Sequence, residues 1–198
     1  MNKIKIAIFG LGVVGSHVVK LLEKNKFNLN GSNFEIIALG AKNKTKKRNF
    51  NVKKYQWINN FSDLEKYNKA DVIIETIGGT GTYIHKLYSY CIKNGISLIT
   101  ANKAQLAENG EKYFAKFDNQ KLYLGFEAAV LGAVPVVRSI EQSILPAKVK
   151  SIYGIFNGTT NYIISQMYGN KISFQESLNQ AIKNGFAEQD SSADLSGK

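Results

Sequence analysis

The sequence predicts an α/β protein built on a doubly wound parallel sheet, and three observations carry that reading. Lys3 to Phe9 (KIKIAIF) is an apolar strand pattern that runs straight into a glycine. A glycine-spaced turn follows and leads into a helical pattern from Val13 to Glu23. Beyond it, short apolar strand candidates alternate with helical stretches as far as Phe126. Chains with that alternation bury both faces of a parallel sheet under helices.

Each element has its own justification. In Lys3 to Phe9, β-branched residues alternate before Gly10 ends the run. Val14, Val18, Leu21 and Leu22 then fall at helical spacing. Phe34 to Leu39 (FEIIAL) is a second strand, and Lys42 to Lys54 reads as a basic surface loop. Asp71 to Ile77 (DVIIETI) is a buried strand ended by Gly78 and Gly79. His85 to Asn94 is helical up to Gly95, Ile96 to Thr100 is a strand, Glu108 to Asp118 a helix, and Lys121 to Phe126 a strand.

Past Glu127 the rhythm changes. Pro135 opens a helix through Gln142, and Lys148 to Phe156 reads as a strand. The turn Asn157-Gly158-Thr159-Thr160 leads into a helix through Met167, Ser173 caps a helix ending near Gly185, and the last dozen residues read as a loop. Two domains are therefore expected: a nucleotide-binding domain over residues 1–125, and part of an α+β domain over residues 126–198.

Composition narrows the function. The 198 residues are 44% hydrophobic, enough for a real core, with no apolar run of bilayer length, so a soluble chain without a membrane partner is expected. The N-terminus enters a strand directly rather than a signal peptide, and the one cysteine, Cys91, suits a reducing compartment. A net charge of +11 invites a nucleic-acid role, but only Arg48 and Arg138 of the 26 basic residues are arginines and the lysines are scattered. No zinc-finger spacing, RNA-binding aromatic signature or basic heptad helix is present, so no nucleic-acid partner is expected. His17, His85 and Cys91 lie inside helical patterns without ligand spacing and are given no metal role.

Gly10-Leu11-Gly12-Val13-Val14-Gly15 is a G-x-G-x-x-G between a strand and a helix, the context in which such a motif binds a dinucleotide in a Rossmann-type domain. Gly10 permits the tight turn, Gly12 lets backbone approach a pyrophosphate, and Gly15 lets helix pack on strand. The helix start offers N–H groups and partial positive charge to phosphates. Its bland alternative is a glycine turn that holds nothing. An NAD site usually ends its second strand in a carboxylate that holds the ribose. Here Gly40, Ala41 and Lys42 stand at that end, followed by Lys44, Lys46, Lys47 and Arg48, which favours NADP, with NAD still possible. Any single one of these lysines could equally be a solvated surface residue. Lys103 follows a strand at the edge where ligands bind, although a surface lysine explains its position as well. Glu188, Asp190 and Asp194 form an acidic cluster that could grip an ammonium group, or lie solvated in a loop.

Six segments, in order, resemble homoserine dehydrogenase: IAIFGLGVVG, DVIIETIGG, ITANKAQLA, GFEAAVLGAVPVVRSI, GIFNGTTNYIISQM and GFAEQDSSADLSGK. The resemblance covers nearly the whole chain, as the N-terminal two-thirds of such an enzyme. It implies NAD(P)-dependent interconversion of aspartate-4-semialdehyde and homoserine, in cytoplasmic biosynthesis of threonine, methionine and isoleucine, by a homodimer. It implies that Leu11, Val13 and Val14 line the cofactor beside the glycines, with Thr76 and Lys103 near the nicotinamide and Gly185 touching the cofactor from the second domain. It implies a sodium ion on the backbone carbonyls of Glu127, Val130, Gly132 and Val134, and substrate contacts from Glu188 and Thr159. Where the family usually has tyrosine, this chain has Phe186, so a hydroxyl is missing from the pocket wall. The family's proton-donor lysine falls beyond Lys198, so the chain as it stands is expected to be inactive, with Lys103 in a supporting role. A Rossmann oxidoreductase for another semialdehyde and a non-catalytic NADP-binding protein remain the alternatives.

Overall fold

A computed structural model describes residues 3–24, 33–67, 69–132, 134–144, 149–187 and 191–196. The chain forms two compact units, Met1–Gly132 and Ala133–Lys198. In the first, six parallel strands lie in the order β3-β2-β1-β4-β5-β6. They are β1 (Lys3–Phe9), β2 (Asn33–Gly40), β3 (Gln56–Trp57), β4 (Val72–Glu75), β5 (Ser97–Thr100) and β6 (Leu124–Gly125). Its helices are α1 (Val13–Glu23), α2 (Leu64–Tyr67), α3 (Thr82–Asn94) and α4 (Lys103–Asn119). The order reverses between β1 and β4, the switch point at which such sheets open a crevice at their carboxyl edge.

β1 shows why the sheet needs helices on both faces. Its side chains alternate: Ile6 and Ile8 pack with Val19 of α1, Leu39 and Ile74, while Ala7 and Phe9 enter the opposite core. That second core holds Ile84, Leu87, Tyr88 and Cys91 of α3, with Tyr113 and Phe117 of α4. A strand buried on both sides reads as continuously apolar, which is the IAIF pattern. The pairing of β1 with β2 slips one residue between Ile6 and Ala7, so that Phe9 faces Gly40 at the carboxyl edge.

Several expected elements shift. α4 begins at Lys103 rather than near Glu108, because Asn102 caps it by accepting a hydrogen bond from the Gln105 N–H. The Lys42–Lys54 segment is a loop as expected, apart from a 3-10 turn over Val52–Lys54. β3 was not anticipated, since two residues carry no alternation to read. Gly95 ends α3 in the left-handed conformation (φ 65), as its position suggests.

The second unit contains α5 (Val136–Ser139), continued by a π-helical turn over Ile140–Ile144, then α6 (Gly158–Gly169), α7 (Phe174–Lys183) and α8 (Ser192–Ser196). α6 and α7 pack through Ile163 and Ala181, both buried. The expected strand at Lys148 to Phe156 is not formed over residues 149–156, and Lys148 lies outside the described residues. Among the described residues nothing pairs with this segment, and Ile152, Tyr153, Ile155 and Phe156 are exposed. A strand exists only through its ladder, so an apolar pattern without a partner stays irregular. The closing loop is likewise corrected, because Ser192 to Ser196 forms a helical turn.

Candidate dinucleotide site

At the carboxyl edge of the first unit lies a cleft of about 800 Å³, lined from the β1 side by Gly10, Leu11 and Gly12. The three motif glycines differ in what constrains them. Gly10 has φ +93, and a Cβ on it would lie 2.5 to 2.7 Å from the Thr76 carbonyl and the Ile77 nitrogen. Gly15 has no room either, since a Cβ would run into the Gly10 carbonyl and lie 2.6 Å from Thr76 Oγ1. At Gly12 a Cβ would meet nothing within 4 Å. Gly12 is also the N-cap of α1, with no side-chain cap and no acidic residue in the first turn. The first-turn N–H groups of α1 therefore suit an anion.

Thr76 belongs to this turn. Its hydroxyl donates to the Gly10 carbonyl at 2.5 Å, and its N–H donates to Phe9 at 2.8 Å. The structure thus brings Gly10, Leu11, Gly12, Gly15 and Thr76 together. Val13 and Val14 are exposed on the first turn of α1 and do not line the cleft.

The β2 side of the cleft is basic. Lys42, Lys46 and Arg48 line it with Gly40, Ala41 and Asn43, and none of these is a carboxylate. The loop is built rather than loose. Asn43 Oδ1 accepts from the Thr45 N–H at 2.9 Å, the Thr45 hydroxyl at 2.9 Å and the Lys46 N–H at 3.1 Å. The Arg48 guanidinium donates to the carbonyls of Asn43 (2.7 Å), Lys46 (3.0 Å), Lys44 (3.3 Å) and Leu11 (3.4 Å). It also lies 5.5 Å from the Trp57 ring centroid. Arg48 ties the basic loop to the glycine turn, while Lys42 and Lys46 face the cleft alongside it.

Beneath the β4 side lies a polar knot that sequence reasoning missed. Glu75, the last residue of β4, is fully buried. Its Oε1 accepts from the N–H groups of Ile77 (2.6 Å) and Gly78 (3.2 Å). Its Oε2 accepts from the hydroxyls of Thr100 (2.7 Å) and Tyr88 (3.4 Å). The Asn102 N–H donates to Thr100 Oγ1 at 2.9 Å, and its side-chain amide donates to the Gly79 carbonyl at 2.8 Å. Burial, above all, pushes the Tyr88 hydroxyl up from its ordinary range, with the Glu75 carboxylate adding to it. The signal available in the sequence was an acidic residue closing an apolar strand three positions before a pair of glycines. Lys103 is the first residue of α4, exposed, and is not one of the residues lining the cleft.

The remaining expected sites lie elsewhere. Glu127 opens a 3-10 turn whose carbonyl accepts from the Val130 N–H at 3.1 Å, and Leu131 and Gly132 follow with φ 54 and 57. Val134 belongs to the second unit and is exposed. In that unit the Thr159 hydroxyl is buried, 2.9 Å from the Phe186 carbonyl and 3.1 Å from Asp194 Oδ2. Gly185 (φ 76) closes α7 in a Schellman arrangement, with its N–H donating to Ile182 at 3.1 Å and that of Phe186 to Ala181 at 2.9 Å. Glu188 and Asp190 lie outside the described residues.

Strand order, switch point and glycine turn together define a Rossmann-type nucleotide-binding domain. A family model described as the NAD-binding domain of homoserine dehydrogenase matches residues 10–126, and one described as homoserine dehydrogenase matches residues 135–198. The chain belongs to the homoserine dehydrogenase family. The homoserine dehydrogenases of Neisseria gonorrhoeae and Bacillus subtilis are each 32% identical over 200 residues, covering all of this chain and 46% of their own. The solved homoserine dehydrogenase of Thiobacillus denitrificans matches with a TM-score of 0.85 at 27% identity, covering 98% of this chain and 45% of that one. That of Thermoplasma acidophilum matches at 0.73 with 26% identity, covering 98% of this chain and 64% of that one. The chain therefore spans less than half the length of the curated relatives it matches.

Proposed function

We propose that this chain binds a nicotinamide dinucleotide, NADP in preference to NAD, and serves the interconversion of aspartate-4-semialdehyde and homoserine. The observation that carries the cofactor reading is the cleft itself: a glycine turn open at Gly12, flanked by a β2 edge that presents Lys42 and Lys46 and no carboxylate. A carboxylate there would repel a 2′-phosphate, whereas ammonium groups attract one. The reaction follows from family membership.

When bound, the nicotinamide supplies or accepts the hydride exchanged with the substrate carbon. The chain's own residues hold the parts. Gly10, Leu11, Gly12 and Gly15 shape the pyrophosphate cradle, and the family resemblance adds Val13 and Val14, exposed on the first turn of α1. Thr76 fixes the cradle against β4. Lys103, the first residue of α4, takes the supporting cationic role that the family resemblance gives it. On the family resemblance Thr159 and Glu188 serve the substrate and Gly185 the cofactor. A sodium ion on the backbone carbonyls of Glu127, Val130, Gly132 and Val134 is what the family resemblance implies. The support for the sodium ion, for a homodimer, for a cytoplasmic setting and for these substrate roles is the family resemblance. No described helix is long and apolar enough to cross a membrane.

The test uses Trp57, the one tryptophan of the chain, which lies against Arg48 beside the cleft. Titration of its fluorescence with NADPH and with NADH at moderate salt should give tighter binding of NADPH. Equal or tighter binding of NADH would reject the 2′-phosphate argument.

A further inference from the structure

We propose that Glu75 is a positioning residue for the nicotinamide half of the cleft, acting through the turn over residues 76–79. The inference rests on the nicotinamide-cofactor reading above. Its starting point is an energetic oddity. A fully buried carboxylate costs several kcal/mol unless it is hydrogen-bonded throughout. Glu75 has no cation against it among the interactions described above; the backbone N–H groups of Ile77 and Gly78 and the Thr100 hydroxyl donate to it instead, while the single Tyr88 hydroxyl proton lies nearer Thr100 Oγ1 (2.9 Å) than Glu75 (3.4 Å).

Those N–H groups belong to a turn that is difficult to hold. Gly78 has φ +83 and Gly79 has φ +76, and a Cβ on either would meet nothing within 4 Å. The two glycines are thus required by backbone conformation, not by lack of space. Consecutive glycines lose the most entropy when fixed, so the turn needs external anchors to keep one shape. Glu75 anchors its near end, and the Asn102 amide anchors its far end at the Gly79 carbonyl, 2.8 Å away. Both anchors meet at Thr100, which donates to Glu75 and accepts from the Asn102 N–H. The carboxyl ends of β4 and β5 are thereby joined under one wall of the cleft.

The topology says which half of a dinucleotide this wall meets. The pyrophosphate belongs on the glycine turn after β1, and the adenosine ribose at the end of β2. The other half must then cross towards β4, where Ile77 and Gly78 line the cleft. A turn held in place beforehand spares that half of the ligand the cost of ordering it.

The experiment compares NADPH with 2′,5′-ADP, which carries the adenosine half alone, on the full chain and its variants. Asn102→Ser keeps an oxygen to cap α4 and removes the reach to Gly79. Glu75→Gln keeps the shape of Glu75 but replaces one acceptor by a donor. If Glu75→Gln does not fold, Asn102→Ser, which leaves the buried carboxylate intact, carries the test. Both folded variants should bind NADPH on the order of tenfold more weakly and 2′,5′-ADP as the unaltered chain does. Equal losses for both ligands, or none for either, would show Glu75 to be a purely structural group. An unaltered chain that binds 2′,5′-ADP but gains nothing from the nicotinamide half overturns the proposal and leaves the adenosine site standing. Binding of neither ligand removes the cofactor reading and this proposal with it.

Discussion

Gly12 and Gly15 stand three positions apart and answer differently to an added side chain. At Gly15 a Cβ collides with the Gly10 carbonyl and Thr76 Oγ1, both held in the turn. Gly15→Ala should therefore lower the free energy of unfolding by about 1–3 kcal/mol, measured by urea denaturation. Gly12→Val faces open cleft, so the chain should stay folded by circular dichroism while its isopropyl group takes the space of a pyrophosphate and cofactor titration shows no binding. A folded Gly12→Val chain that binds NADPH normally would put the site elsewhere. The motif spacing made these glycines readable, because each role follows from backbone geometry alone. Glu75 was not singled out: DVIIETI reads as a buried strand with no role for its glutamate, and only the fold reveals the donors from α3, β5 and the following turn.

Elements were legible where a cap or a glycine marks their ends. Ser173 accepts from the Glu176 N–H at 3.2 Å and starts α7, and Gly185 closes it in the left-handed conformation. Ser173→Ala should cost about 1 kcal/mol and Gly185→Ala about 1–2 kcal/mol, both read from thermal unfolding. Elements defined by a distant partner were illegible. β3 exists because Gln56 and Trp57 meet Ala38 and Leu39, and residues 149–156 show the converse, an apolar pattern without a ladder. The basic loop between β2 and β3 is a third kind, read correctly as a loop yet not as a built one. Arg48 spends its donors on four carbonyls, so Arg48→Ala should weaken NADPH and NADH alike by loosening the loop. Lys46→Ala should weaken NADPH selectively. If Arg48→Ala erased the preference and Lys46→Ala did not, the guanidinium would be the phosphate reader.

The first unit as a whole can be followed through its one thiol. Cys91 is fully buried in the core between α3 and the sheet, and burial pushes its thiol up from the ordinary value. Reaction with a thiol reagent should thus be slow in the native state and proceed at the rate at which the unit opens. Cys91, Tyr88 and Tyr113 are all held neutral by burial, with pKa values raised in the folded state. Such groups contribute stability below their unfolded values and lose it as pH rises, because the unfolded chain ionises first. Thermal stability should accordingly decline above about pH 9, where an unfolded cysteine begins to ionise, and Cys91→Val should flatten the first part of that decline.

Sheet order also sets a timetable. Of the six strands β1 is made first, yet it ends in the middle of the sheet, with Ile6 beside Val72 of β4. At ordinary rates of synthesis, the intervening stretch takes roughly 3–13 s to be made. Throughout that interval the IAIF run has β2 on one edge at most and no α3 above it. A parallel pairing of this reach is slow to close and exposes apolar surface while it waits. Of the six strands, the one that anchors the finished cleft thus waits longest for its second neighbour, with its apolar edge open meanwhile.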